Sequence, residues 1–294
     1  MNLTAPTPSP ESLGPLLYAT IVCRDLEKSV AFYRLFGTIV DYNHRLSELE
    51  FGCLFPGLNF AEQRTALVCA EHGGAIIRLV EIRDAVVSAC LRNRGWLALE
   101  ISTNAVDFLG EYLSYKGCKV RGAPACLEMS KDIKAMQVEG PSGEMLYITE
   151  IKNEVPPFRL PRARAVFDGL FIAVLSSKDR VASAEYYRSH GAGAPLMVET
   201  KITVVNNEFG LPLDTKHPLA VLQLFGTSLI EIDQLTSAED MVSSLYSGIY
   251  AVSFATRAPM NDFVESVYNK PSKLLIGPDQ ERIILTEIDN GDDK

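Results

Sequence analysis

Apolar and polar positions alternate over Leu17-Tyr18-Ala19-Thr20-Ile21-Val22-Cys23, which predicts a strand with Ala19, Ile21 and Cys23 on one face and Tyr18, Thr20 and Val22 on the other. The period then changes. Leu26, Val30 and Tyr33 recur at helical spacing, so a helix with one apolar stripe follows and packs on the sheet. Asp25 is placed to cap its free N–H groups, Glu27 suits its positive end, and Gly37 reads as a left-handed stop.

This strand, turn and helix recur three more times. Gly95-Trp96-Leu97-Ala98-Leu99-Glu100-Ile101 leads through Asn104 to a helix ending at Gly117. Phe171-Ile172-Ala173-Val174-Leu175 leads through Asp179 to Tyr186, Tyr187 and Gly191. Gly248-Ile249-Tyr250-Ala251-Val252-Ser253-Phe254 leads through Pro259 to a helix carrying Met260, Phe263, Val264 and Val267. Tyr18 and Trp96 are 78 residues apart, as are Phe171 and Ile249, so a duplicated pair of units is expected.

Between the recurrences the pattern gives segments 39–45 and 46–54, strands over 65–70 and 75–82, and a short linking helix over 84–93. The second unit has strands near 119–121, 135–138 and 145–151. The third has strands at 195–205, 219–225 and 228–232, and the fourth closes over 282–288. Both even-numbered units end in a Gly-Pro turn followed by a strand finishing Thr-Glu-Ile, at Gly140-Pro141 with Thr149-Glu150-Ile151 and at Gly277-Pro278 with Thr286-Glu287-Ile288. The Pro- and Arg-rich stretch 152–166 suits an extended linker.

The expected class is therefore α+β, with four βαβββ modules paired into two curled-sheet, incomplete-barrel domains. The expected division is a disordered lead-in over 1–14, one domain over 15–152, a linker over 153–166, a second domain over 167–289 and a tail over 290–294.

Charge and composition narrow the partners. With 28 basic against 37 acidic residues, a broad phosphate-binding surface is disfavoured, and nucleic acid is not an expected partner. No apolar run approaches the ~18–20 residues that span a bilayer, and the first residues lack a secretory pattern, so a cytoplasmic protein without membrane contact is expected. The six cysteines show no CxxC pair and no His at zinc-site spacing, which reads as reduced, buried thiols. The scattered His44, His72, His190 and His217 do not rescue a metal site.

Two local stretches, Asp25-Leu26-Glu27-Lys28-Ser29-Val30-Ala31-Phe32-Tyr33 and Gly140-Pro141-Ser142-Gly143-Glu144-Met145-Leu146-Tyr147, resemble the vicinal oxygen chelate superfamily of glyoxalases, bleomycin-resistance proteins and extradiol dioxygenases. The resemblance implies modules that curl in pairs into cups, with a metal held by His and Glu on first and last strands. The matching positions here are Tyr18, Arg78, Trp96, Tyr147, Phe171, Ile230, Ile249 and Ile284, none a His, Glu, Asp or Gln. No metal and no other cofactor is therefore expected.

The first cup is expected to present Tyr18, Thr20, Arg78, Trp96, Glu100, Tyr147 and Thr149. The second is expected to be apolar apart from Ser253 and Thr286. An inward guanidinium and carboxylate are costly to desolvate unless they pair or meet a ligand. In the functional reading, Arg78 holds a carboxylate, enolate or phenolate. Trp96, Thr20 and Thr149 bind the substrate, Trp96 by stacking, and Glu100 with Tyr18 or Tyr147 moves a proton.

In the bland reading, Arg78 and Glu100 are an ion pair capped by two tyrosine hydroxyls. The leading function is a metal-independent lyase or isomerase acting on a small anionic, aromatic or polyketide-like substrate. The alternatives are a small-molecule sequestration protein and an extradiol-dioxygenase-like metalloenzyme with non-standard ligands. A cup filled by its own side chains would favour a structural or regulatory role. A homodimer is the assembly to test.

Overall fold

A computed structural model describes residues 13–59, 63–128, 130–241, 243, 245–256 and 271–288. The first module is β1 (Leu16–Cys23), α1 (Leu26–Tyr33), β2 (Thr38–Arg45), α2 (Glu48–Leu54), β3 (Arg64–Cys69) and β4 (Ala75–Glu81). The second is β5 (Gly95–Ser102), α3 (Val106–Tyr115), β6 (Lys119–Leu127), β7 (Ser130–Glu139) and β8 (Met145–Ile151). The third is β9 (Gly169–Ser177), α4 (Arg180–Ser189), β10 (Leu196–Lys201), α5 (Thr203–Phe209), β11 (Lys216–Gln223) and β12 (Leu229–Gln234). The fourth shows β13 (Gly248–Thr256), β14 (Ser272–Ile276) and β15 (Arg282–Glu287). The helix expected from Met260 onward, most of the lead-in and the tail lie outside the described residues.

The α+β class and the four modules are as the pattern predicts. Their pairing is not. One sheet runs β14-β15-β13-β1-β4-β3-β2 and the other β10-β11-β12-β9-β5-β8-β7-β6. The first module thus shares its sheet with the fourth, and the second with the third, in place of the expected pairing within 15–152 and within 167–289.

The joins are antiparallel, β1 to β13 and β5 to β9. Repeats define a module; they do not say which partner covers the open edge of its first strand. The inter-module segments support the exchange. Val86 bridges to Tyr246 and Asn93 to Glu239, and the Val86 N–H donates to the Leu245 carbonyl at 3.1 Å. Backbone spent on this ladder cannot form the short helix expected over 84–93.

The largest core lies where the outer faces of both sheets meet α1 and α4. Ala19, Ile21, Leu99, Ile101, Ala173, Leu175, Val252 and Phe254 pack there with Leu26, Val30, Tyr33, Ala184 and Tyr187. The helix starts follow the sequence. Asp25 accepts from the Lys28 N–H, and Asp179 from the N–H groups of Val181 and Ala182. Gly37 does not take the left-handed conformation. It is needed for close approach instead, because a Cβ there would stand 2.8 Å from Val68 Cγ1 and 3.1 Å from Phe167 Cε1.

The repeated Gly-Pro turns explain how the two sheets are held together. In each, a glutamate folds back over the glycine: a Cβ on Gly140 would meet Glu144 Oε1 at 2.2 Å, and one on Gly277 would meet Glu281 Oε1 at 1.9 Å. Tyr33 of α1 donates to Glu144 at 3.0 Å, and Tyr187 of α4 donates to Glu281 at 2.8 Å. Backbone N–H groups of Ser142 and Asp279 donate to the same two carboxyls at 2.8 Å. Each clasp joins a helix on one sheet to a turn of the other. Burial pushes both carboxyls up to about 7.

Among the described residues no helix is long and apolar enough to cross a membrane.

Candidate functional site

Each sheet curls around a cup, and a short helix between the second and third strands of an odd-numbered module closes over it. The pattern does not foresee either helix. In the first cup, Ser47 caps α2 through a reciprocal capping box with Glu50. Phe51, Leu54 and Phe55 then turn inward onto Tyr250, Ala251 and Ile284. In the second, the strand expected over 195–205 ends at Lys201, and Val204 and Val205 of α5 join the core formed by Ala98, Tyr147, Phe171 and Val174.

The first cup is basic at its floor. Thr20 on β1 and Arg78 on β4 are register partners and face inward together. Arg78 is 4% exposed and donates to Thr20 Oγ1 at 3.1 and 3.3 Å. Its guanidinium lies 5.3 Å from the centre of the Tyr18 ring, a cation–π contact. Its carboxylate partner is Glu50 of α2, at a long 3.4 Å. A depression of about 270 Å³, including its open mouth, remains between Tyr18, Arg78, Cys53, Leu54, Lys273 and Ile284.

The second cup is acidic. Glu100 on β5 and Tyr147 on β8 occupy the register held by Thr20 and Arg78 in the first cup. Glu231 and Asp233 on β12 face inward beside them, aligned with Val174 and Ser176 of β9. Thr149 donates to Glu100 at 3.0 Å. Burial, then the charge of Glu231, pushes Glu100 up to about 8. Burial pushes Glu231 up to about 7. Asp233, wholly buried, is raised well above the usual carboxylate range, first by burial and then by Glu231. Among the described residues none of these three carboxyls has an ion-pair partner.

The seven predicted site residues therefore do not form one site. Tyr18, Thr20 and Arg78 line the first cup; Glu100, Tyr147 and Thr149 line the second. Trp96 lines neither. A β-bulge between Trp96 and Ala98 pairs Trp96 with Leu175 and Ala98 with Val174, so Ala98 stands where Tyr18 stands in the other cup. Trp96 points into the core between the sheets, packs near Tyr187 and Phe254, and donates to the Arg282 carbonyl at 2.8 Å.

The Arg78–Glu100 ion pair of the bland reading is not formed; Arg78 meets Glu50. The apolar cup expected from the second half does not form either, since Ser253 and Ile284 belong to the first sheet and Ile230 packs in the inter-sheet core. Sequence reasoning passed over Glu50, Glu231 and Asp233. The signal for the last two was the alternation of β12, in which Glu231, next to Ile230, is the inward residue.

Solved structures with this architecture place it. The chain is similar to glyoxalase I from Zea mays, at 15% identity with 92% of each chain covered and a TM-score of 0.61. It is also similar to a putative dioxygenase from Bacillus subtilis subsp. subtilis str. 168, at 9% identity over 94% of this chain and 86% of that one, with a TM-score of 0.60. No protein-family model matches the sequence, and no curated protein does. The fold is the vicinal oxygen chelate fold.

The family resemblance implies a metal in a cup, which the donor sets of the described residues can be tested against. The first cup places a guanidinium at its floor. Among the described residues no three of His, Cys, Asp and Glu are arranged to hold a metal ion.

Proposed function

We propose that the first cup binds a small organic anion, a carboxylate, enolate or phenolate, held by Arg78 without a metal. One observation carries this reading: a 4%-exposed arginine that lines an opening at the floor of the cup and whose only carboxylate partner among the described residues, Glu50, stands 3.4 Å away. Buried guanidinium groups gain most from two parallel, short bonds to a carboxylate. Arg78 lacks that arrangement in the protein alone, and an entering carboxylate supplies it by displacing Glu50.

The 270 Å³ includes open solvent, and the enclosed part is too small for an organic ligand, so a carboxylate reaches Arg78 only as α2 lifts and Glu50 leaves. This is the sequestration function. Titration calorimetry with benzoate tests it: Arg78→Met abolishes binding, and Glu50→Gln, which removes the internal competitor, tightens it severalfold. Absence of any benzoate binding by the wild type sinks the proposal and leaves the cup as packing.

A second reading is favoured by one further observation. Glu100, with a pKa of about 8, is suited to general acid–base work near neutral pH. Lyase or isomerase proton transfer would use the second cup, with Glu100 moving the proton. The scheme in which Arg78 and Glu100 act on one substrate is withdrawn, because they face different cups. Loss of turnover in Glu100→Gln, with benzoate binding intact, would select this reading.

A further inference from the structure

The second cup holds a cluster of polar groups that the described residues leave without a countercharge and only partly hydrogen-bonded. Among the described residues, Asp233 has no hydrogen-bond partner other than the neighbouring carboxyl of Glu231, with which it shares a proton, and the Tyr147 and Ser176 hydroxyls have none. Asp233 and Ser176 are wholly buried and Tyr147 is 7% exposed. Buried polar atoms are ordinarily paired, and a cluster of unpaired ones asks for a missing partner.

These atoms share the inward face. Asp233 aligns with Ser176, and Glu100 aligns with Tyr147. The pKa of the Tyr147 hydroxyl is raised well above the ordinary tyrosine range, first by burial and then by the charges of Asp233, Glu231 and Glu100, all three of which lie near it.

Among the described residues, the arginines that meet α5 are already engaged. Arg92 and Arg121 pair with Glu208 of α5 at 2.6 Å, and Arg121 also pairs with Glu139 of β7 at 3.0 Å. On β11, His217 is bonded to Asn206 of α5 at 2.6 Å. Cys90 adds no charge of either sign, since burial pushes its thiol up to about 12 and keeps it neutral. Glu100 accepts only from Thr149, and Glu231 and Asp233 meet only each other, so a partner that replaces their protons is a cationic donor from outside the described residues.

We propose that the second cup takes a small organic cation bearing N–H donors, an ammonium or guanidinium group, bound between Glu100, Glu231, Asp233 and Tyr147 beneath α5. Several N–H groups diverging from one centre reach oxygens on different strands, which are not arranged for a metal ion. Val204 and Val205 on the inner side of α5 supply apolar cover for the carbon part of the ligand. The carboxyls carry protons at neutral pH in the protein alone, so the cation enters as protons leave. This site is independent of Arg78 and of anion binding in the first cup.

The test is calorimetric titration of the full chain with methylguanidinium and with n-butylammonium at pH 6, 7 and 8, in two buffers of different protonation enthalpy. The expected result is saturable binding with net proton release. Affinity should rise towards pH 8 by up to about tenfold per pH unit for each carboxyl that must ionise. Asp233→Asn should weaken binding at least tenfold. Should that variant not fold, Glu100→Gln answers the same question, with circular dichroism confirming its fold. Tetramethylammonium, which has no N–H, should not bind. The proposal is overturned if neither probe saturates the wild type at pH 8, if the variants bind as well as the wild type, or if manganese(II) displaces methylguanidinium from the same residues.

Discussion

The two cups share a scaffold and differ in the sign of their floors. At one register position the first cup has Thr20 beside Arg78, and the second has Glu100 beside Tyr147. Each is closed by a two-turn helix inserted at the same point of its module. The first settles its buried charge with a distant partner, Glu50 at 3.4 Å, and keeps an opening. The second leaves three carboxyls without a countercharge and settles them by protonation. An equivalent strand register thus leaves ligand chemistry to a few inward residues, which is why the fold does not name the ligand.

The largest expected effect separates the cups by pH. Glu100 and Glu231 have folded-state values raised to about 8 and about 7 from an ordinary 4.5, so the folded state binds more protons than the unfolded state between those limits. Stability is then fully present below about pH 4.5 for these groups and is lost as pH rises through 7 to 8, by an amount on the order of several kcal/mol. Glu144 and Glu281, both at about 7, add loss in the same direction. Glu81 and Glu208, held low by arginines, act oppositely below the ordinary carboxylate range. Urea unfolding across pH 4 to 9 should show a maximum near pH 5. Glu100→Gln should flatten the alkaline slope, whereas Arg78→Met should not.

A smaller effect tests where the two halves agree. Tyr33→Phe and Tyr187→Phe each remove one hydrogen bond to a buried carboxyl and should cost about 1–3 kcal/mol apiece in denaturant melts, with nearly equal values. Unequal costs would break the proposed equivalence of the clasps. Trp96→Phe removes one bond to the Arg282 carbonyl and part of an aromatic contact. A cost of about 1–2 kcal/mol with unchanged benzoate affinity is expected, since Trp96 faces neither cup. Smallest, Ser47→Ala deletes the cap of α2 and should cost about 1 kcal/mol while raising the labelling rate of Cys53, which lies on that helix at the first opening.

Much of this arrangement was legible in the chain. Period-2 runs located the first strands, Asp25 and Asp179 marked two helix starts, and the matched Gly-Pro turns marked the even-numbered modules. The pairing of modules was not legible, because every first strand offers the same apolar edge. The offset of 78 residues also misled: both first strands carry a bulge near their start, between Leu16 and Tyr18 and between Trp96 and Ala98, so Trp96 is the counterpart of Leu16 and Ala98 that of Tyr18, which alternation alone does not reveal. Helices α2 and α5 are seven residues long, too short for a period to stand out from neighbouring strands. Glu50 was hidden within α2, and Glu231 by a reading one residue out of phase on β12.

The most direct measurement is benzoate titration of the wild type and Arg78→Met side by side at pH 7. The account predicts saturable binding to the wild type and a loss of at least a hundredfold in the variant. Equal affinity for the two proteins would show that the basic floor of the first cup does not hold the anion.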